Sequence, residues 1–327
     1  MHILVIGAAG MIGRKLAQRL AQDGALMERD ITALTLADVV PADAPAGFAG
    51  KVSIETLDLS EPEAANRMIA SRPDVIFHLA AIVSGEAELD FEKGYKINLD
   101  GTRHLFEAIR IAHMADGYRP RLVFTSSIAI AGAPLPFPIP DDFHATPLTS
   151  YGTQKAICEL LLSDYSRKGY FDGLGIRLPT ICIRPGKPNK AASGFFSNIL
   201  REPLVGQEAV LPVSEDLRHW HASPRSAVGF LMHGAIIDLE RVGPRRNLSM
   251  PGLSATVGEQ IEALRRIAGD KAVRLIRREP DEMIMRICAG WPSGFEATRA
   301  RALGFTAESS FDEIIRVHIE DELGGTL

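Results

Sequence analysis

Cysteine is scarce in this chain of 327 residues: Cys158, Cys182 and Cys288 are far apart and odd in number. That spacing offers neither a disulfide framework nor a C-x-x-C metal knuckle, so no metal site is expected. Free thiols fit a reducing compartment, and a cytoplasmic protein is the expectation. Charge of one sign is also lacking. A formal net charge of −5 gives no electrostatic footprint for nucleic acid or an anionic membrane, and neither partner is expected. No apolar run reaches membrane-spanning length. The apolar run His2 to Ile6 has neither a basic segment before it nor a cleavage site after it, so no signal peptide is expected. What remains is an ordinary globular composition, long enough for a sizeable core and two lobes.

The first half alternates short apolar runs with helical patterns. Strands are expected at 2–7, 31–37, 51–57, 74–79, 121–125 and 175–183. Helices are expected at 11–22, where Met11, Ile12, Leu16 and Leu20 recur at helical spacing, at about 92–113, and after a Thr149 or Ser150 cap. Strands separated by helices of this length imply parallel crossovers: an α/β fold with a Rossmann-type doubly wound parallel sheet. Past Pro185 the alternation weakens into helices near 195–200, 225–240 and 256–268, a strand at 245–250, and a final helix opened by Ser310-x-x-Glu313. The expected division is a dinucleotide-binding domain over 1–185, rejoined by about 219–250, and a smaller mixed α/β substrate-binding lobe over 186–327, interleaved with it.

Gly7-Ala8-Ala9-Gly10-Met11-Ile12-Gly13 lies directly between the first strand and the first helix. In that context the first glycine permits the tight turn, the second lets backbone approach a pyrophosphate, and the third lets helix pack on strand. The helix N-terminus then offers N–H groups and a positive dipole end to the phosphates. Asp38, ending the second strand, is placed to accept from the adenosine ribose hydroxyls. No Arg or Lys follows at once to hold a 2′-phosphate, which favours NAD. Asp58 and Leu59 would edge the adenine. Leu79 and the small residues Ala80 and Ala81 follow the fourth strand where a cofactor would cross the sheet. Asn98 and Gly101 are poor helix formers inside a long helical pattern, so either a kink near the cofactor or packing against the sheet is expected there. Thr125, Ser126 and Ser127 end the fifth strand, at the carboxyl edge where open α/β sheets bind ligands.

Tyr151 and Lys155, four apart, share one face if their segment is helical. A tyrosine titrates near ~10 and is a poor base at neutral pH, and a neighbouring ammonium favours its phenolate.

Together the glycine loop, Asp38, Asp58-Leu59, His78-Leu79-Ala80-Ala81, Asn98-x-x-Gly101-Thr102, Thr125-Ser126-Ser127, Tyr151-x-x-x-Lys155 and Arg177-Leu178-Pro179-Thr180 resemble the extended short-chain dehydrogenase/reductase family, in its epimerase/dehydratase branch. The resemblance spans residues 7–186 in family order. It implies bound NAD and a catalytic set in which Ser127 positions the reacting hydroxyl, Tyr151 takes its proton and Lys155 holds the nicotinamide ribose. It also implies that Pro179 and Thr180 face the nicotinamide, and that the Tyr151 helix and the long helix before it form a homodimer interface, to which Ile157, Leu160 and Leu161 would contribute or else belong to the core.

Departures from the family pattern narrow the substrate. Ile128-Ala129 replaces the Asp-Glu pair that dehydratases use beside the catalytic Ser or Thr, and neither residue can carry a proton. Ile130-Ala131-Gly132 lacks the tyrosine of the epimerases. His219-Trp220-His221-Ala222-Ser223-Pro224-Arg225 replaces the family's Tyr-x-His-Val-x-Asp run. A smaller anionic substrate becomes attractive, and the runs 80–88, 184–197 and 218–225 resemble those of the family's sugar-acid dehydrogenases. That implies oxidation of the C2 hydroxyl of a short sugar acid with NAD. Its carboxylate would meet Arg184, Lys187 or Arg225, with Ser84, Ser126, Ser127 and Thr180 at its hydroxyls. A nucleotide-sugar 4-epimerase with tightly held NAD and a non-catalytic dinucleotide-binding protein are the competing readings.

Overall fold

The computed structural model describes residues 1–186 and 192–326. The chain forms two compact units. The first comprises Met1–Ser127, Thr149–Arg177 and Val228–Leu248, and the second Ile128–Leu148, Leu178–Ala227 and Ser249–Leu327.

The first unit is built on a seven-stranded sheet of β1 (His2–Ile6), β2 (Ala33–Asp38), β3 (Lys51–Thr56), β4 (Val75–His78), β5 (Arg121–Ser127), β6 (Asp172–Leu178) and β7 (Asn247–Ser249). Their order is β7-β6-β5-β4-β1-β2-β3, so the direction of winding reverses beside β1. β1 pairs in parallel with β2 and β4, β2 with β3, and β4 with β5. This is the Rossmann-type arrangement, and it places the carboxyl ends of β1 and β4, where ligands of open α/β sheets bind, side by side. β1, β4 and β5 are buried almost throughout because helices cover both faces of a parallel sheet. The helices that position the site are α1 (Met11–Asp23), α2 (Pro62–Ala70), α3 (Gly101–Asp116) and α4 (Ser150–Arg167). Leu105, Phe106 and Ile109 of α3 and Cys158 and Leu162 of α4 share one core with Leu4, Ile76, Leu122 and Phe124 of the strands. Leu161 packs against that core, whereas Leu160 is 73% exposed.

Two expected elements are rearranged. The helix expected over 92–113 is three segments: Phe91–Gly94, a π-turn at Tyr95–Asp100, and α3. The strand expected over 175–183 ends at Leu178, and Thr180–Ile181 pairs instead in the second unit, with Arg218–Ala222. Pro179 has no N–H to donate, so the ladder cannot run through it.

In the second unit, Arg218–Ala222 also pairs antiparallel with Leu253–Thr256. Phe196, Ile199, Leu211, Val257, Leu264 and Ile314 form its core. Thr256 caps the Val257–Val273 helix in a reciprocal box with Glu259. Ser310 caps the last helix, Phe311–Glu322, and the Glu313 carboxylate accepts from the Ser309 N–H. Among the described residues no helix is long and apolar enough to cross a membrane, and no group of three or more His, Cys, Asp or Glu is placed to hold a metal ion.

Candidate active site

The glycine loop is shaped by contacts that only glycine allows. Gly7 has φ +89°, and a Cβ there would lie 2.6 Å from the Ala80 nitrogen. A Cβ on Gly13 would lie 2.2 Å from the Gly7 carbonyl oxygen. The loop is pinned to β2 by the Gly7 and Ala8 N–H groups, which donate to the Ala37 carbonyl. Gly10 is the N-cap of α1 and brings no capping side chain, and the first turn carries no acidic residue. The positive end of α1, with Met11, Ile12 and Gly13 in its first turn, is therefore left to an external anion. Asp38 accepts from the Ala9 N–H at 2.9 Å and the Val39 N–H at 2.7 Å, which fixes its carboxylate beside the loop. Leu79, Ala80 and Ala81 follow β4 directly beyond Gly7. The Asp58 carboxylate accepts from the Ser60 N–H, and Leu59 is buried beneath the backbone of Gly101. A cradle that a Cβ would fill, an uncapped helix end and a held carboxylate fit a dinucleotide.

Asn98 lies in the π-turn. Its Oδ1 accepts from the Ile82 N–H, and its Nδ2 donates to Gln154 of α4 at 2.8 Å and to the Ile82 carbonyl at 3.3 Å. The side chain ties the segment after β4 to α4. His78, fully buried, meets the Thr102 hydroxyl at 2.9 Å, and that hydroxyl donates to the Asn98 carbonyl. The network assigns the proton to His78 Nε2, with Thr102 as acceptor. Burial first, and the Lys155 charge second, push the His78 pKa down to about 3, so this imidazole is neutral.

The Thr149 hydroxyl accepts from the Gly152 N–H and opens α4, which places Tyr151 in its first turn and Lys155 one turn on. Lys155 is 2% exposed. Its ammonium donates to the Thr125 carbonyl at 2.8 Å, and it lies 4.7 Å from the Phe124 ring centroid and 5.7 Å from that of Tyr151. Burial, opposed by Cys158 and Glu159, pushes its pKa down to about 8. Ser127 ends β5 beside this helix, half-buried. Ser126, expected at the substrate, is buried instead and donates to Glu159 Oε1 at 2.6 Å.

Lys155 makes a sharp test of cost against function. Its folded pKa is lowered from 10.5 to about 8, so the fold disfavours the ammonium by about 3 kcal/mol. The unfolded chain binds this proton more tightly, so the group's contribution to stability rises with pH between about 8 and 10.5 and is most unfavourable below that window. In a Lys155→Met variant that cost disappears, offset by about 1 kcal/mol for the lost bond to Thr125. We expect a melting midpoint ~2–4 °C higher at pH 7, no rise in stability from pH 8 to 10.5, and no turnover. A lower midpoint in calorimetry would show that the buried charge is not a net cost.

In the second unit the Thr180 hydroxyl lies 2.7 Å from His219 Nε2. His219 is stacked on Phe196 at 5.1 Å, faces Trp291 at 5.2 Å, and is driven by burial to a pKa of about 3. Pro179 is buried and Thr180 half-buried. Arg184 donates to the Ile181 carbonyl and to Ser193. Arg225, expected at a substrate carboxylate, sits in an exposed ion-pair set with Glu320 at 2.9 Å and Asp321 at 2.5 Å. Ser84 opens the short helix Ser84–Leu89 of the first unit, half-buried. Lys187 lies outside the described residues.

Several residues were not foreseen. Glu159 and Arg177 form a buried pair at 2.7 Å, and Glu159 was readable as the next step of four after Tyr151 and Lys155. Glu308, far off in sequence, accepts from the Ser223 N–H and hydroxyl and the Ser226 hydroxyl. It serves the start of the Pro224–Ile236 helix, where this chain lacks the family's usual acid. No local signal announces it. Phe195 and Trp220 are buried in the second unit, with the Trp220 indole donating to the Met250 carbonyl.

The model of the NAD dependent epimerase/dehydratase family matches residues 3–222. The D-erythronate dehydrogenase of Cupriavidus necator is 47% identical over 326 residues, 98% of each chain. That of Haemophilus influenzae is 42% identical over 323 residues, 99% of this chain and 100% of its own. A crystal structure described as the nucleoside-diphosphate-sugar epimerase from Agrobacterium tumefaciens superposes with a TM-score of 0.98 at 77% identity, covering 100% of this chain and 95% of that one. On the family match and the full-length likeness, the chain belongs to the NAD dependent epimerase/dehydratase family.

Proposed function

We propose that this protein is an NAD-dependent sugar-acid dehydrogenase that oxidises the C2 hydroxyl of D-erythronate to 2-dehydro-D-erythronate. The observation that carries this reading is full-length likeness to two D-erythronate dehydrogenases in a chain whose Lys155 is buried beside Tyr151. NAD, when bound along the glycine loop and Asp38, supplies the hydride acceptor, so that CH–OH and NAD become C=O, NADH and a proton. Ser127 holds the reacting hydroxyl. Tyr151, as phenolate, takes the hydroxyl proton. Lys155 keeps the phenolate accessible near neutral pH by its charge, and its pKa near 8 leaves it mostly protonated there. Arg184, Thr180 and Ser84 remain candidates for the carboxylate and the other hydroxyls. Arg225, satisfied by two carboxylates, is not carried forward.

The name of the Agrobacterium relative favours a second reading, a nucleotide-sugar epimerase in which NAD is regenerated within each turnover. Net cofactor reduction separates the two. Incubated with NAD, the purified protein should form stoichiometric NADH from D-erythronate, at a rate ~10-fold or more above that with L-threonate. No NADH from any short sugar acid, with interconversion of nucleotide sugars, would establish the epimerase instead.

A further inference from the structure

We propose that Glu159 is a positioning residue of the catalytic helix, acting through Ser126 and Arg177 to hold Tyr151 and Lys155 in place against Ser127; this rests on the catalytic reading of Tyr151 and Lys155. Tyr151, Lys155 and Glu159 are spaced by four on α4 and lie on one face of it. Glu159 is 4% exposed, and a carboxylate is kept out of water only where hydrogen bonds and a counter-charge replace the water. Both are present. Glu159 Oε1 accepts from the Ser126 hydroxyl at 2.6 Å and Arg177 Nε at 2.9 Å, and Oε2 accepts from Arg177 Nη2 at 2.7 Å. Its backbone carbonyl accepts from Asn247 Nδ2 at 3.2 Å and the Ser163 hydroxyl at 2.8 Å. One residue of α4 is thereby fastened to β5, β6 and β7.

The β5 end of this arrangement explains what the fastening achieves. The consecutive residues Thr125 and Ser126 bond Lys155 and Glu159, which are one helical turn apart. Two attachment points fix both the axial position and the rotation of α4 against β5, whereas one would leave the helix free to pivot. Ser127 is the next residue of the strand, and Tyr151 is the turn of helix before Lys155. The distance between the two reacting side chains is therefore set by the bonds of their neighbours. Misplacement of order 1 Å is enough to cost ~10²-fold in rate. Glu159 also supplies charge. Lys155 faces Tyr151, Cys158 and Glu159 from its own helix and neutral His78 from β4, with the Arg177 guanidinium held beyond Glu159. Without the carboxylate, the ammonium would lose its one anionic neighbour among these groups and keep the cation behind it.

The test is steady-state turnover of sugar acid and NAD against pH for wild type, Ser126→Ala, Glu159→Gln and Tyr151→Phe. Ser126→Ala keeps the Glu159–Arg177 pair and should fold. Its kcat is expected to fall ~10-fold with both KM values within ~2-fold of wild type, because a positioning bond acts on the transition state rather than on substrate binding. Glu159→Gln is expected to move the alkaline limb of the kcat profile to lower pH, because Lys155 deprotonates sooner. A substrate contact at Ser126 would instead raise KM, and a purely structural tie would lower the melting midpoint with kcat intact; either result overturns the proposal. If Glu159→Gln does not fold, Ser126→Ala decides alone. Near wild-type turnover by Tyr151→Phe would sink the catalytic reading itself, whereas an inactive Tyr151→Phe beside an unaffected Ser126→Ala would sink the positioning role only.

Discussion

Replacing Tyr151 with phenylalanine should lower kcat by about 10³-fold while NAD binds with unchanged affinity. The side chain loses one oxygen and keeps its ring, so the first turn of α4, capped by the Thr149 hydroxyl, has no reason to rearrange. Lys155 retains its bond to the Thr125 carbonyl and its place over the Phe124 ring. What disappears is the only group in this set whose conjugate base can accept a proton from an alcohol. Ser127 cannot replace it, because an aliphatic hydroxyl is far too weak a base. His78 cannot either, because burial holds its pKa down to about 3, which makes the imidazole a very weak base. NAD titration followed by fluorescence should overlay that of the wild type, with NADH formation reduced to a trace. Turnover within ~10-fold of the wild type would mean that another base does the work.

Much of this was legible because the decisive signals are local. The glycine loop, Asp38 and the four-residue spacing of Tyr151 and Lys155 each sit at a strand-to-helix or helix-start position that periodicity alone located. The chain order of strands and helices then implied the doubly wound sheet. What the sequence withheld are pairings between distant segments. Glu308 at the start of the Pro224–Ile236 helix and His219 beside Thr180 are made by tertiary folding, with no periodicity to signal them. Ser126 shows a different limit: adjacent serines at a strand end look equivalent in sequence, and only the fold shows which of them reaches Glu159. The helix expected over 92–113 failed at Gly94, Asn98 and Gly101. Their weak propensity was visible, but the π-turn they permit depends on Asn98 reaching Ile82 and Gln154. The end of β6 could have been placed from Pro179 itself, had its missing N–H been weighed against the apolar run around it.

The second large effect is expected at Gly13, where function and packing meet in one hydrogen atom. A Cβ there would stand 2.2 Å from the Gly7 carbonyl oxygen, 2.7 Å from the Ala8 Cα and 2.9 Å from the Ala8 carbonyl carbon. All three are backbone atoms, so no side chain can rotate aside, and Gly13→Ala must push the start of α1 away from the loop by about 1 Å. Overpacking of this kind costs about 1–3 kcal/mol of stability. The consequence for NAD is larger than that figure suggests. In the proposed reading the N–H groups of the first turn of α1 would hold the phosphates, and Gly7 cannot follow the helix, because its N–H donates to Ala37 and it abuts Leu79 and Ala80. Helix and loop would separate, and the anion site they form together would widen. We therefore expect Gly13→Ala to fold with a lower melting midpoint and to bind NAD at least ~100-fold more weakly. At saturating NAD the residual kcat should stay within ~10-fold of wild type, since Ser127, Tyr151 and Lys155 lie on β5 and α4. Calorimetric titration with NAD separates these effects. Undiminished affinity would show that the dinucleotide phosphates do not sit on this loop.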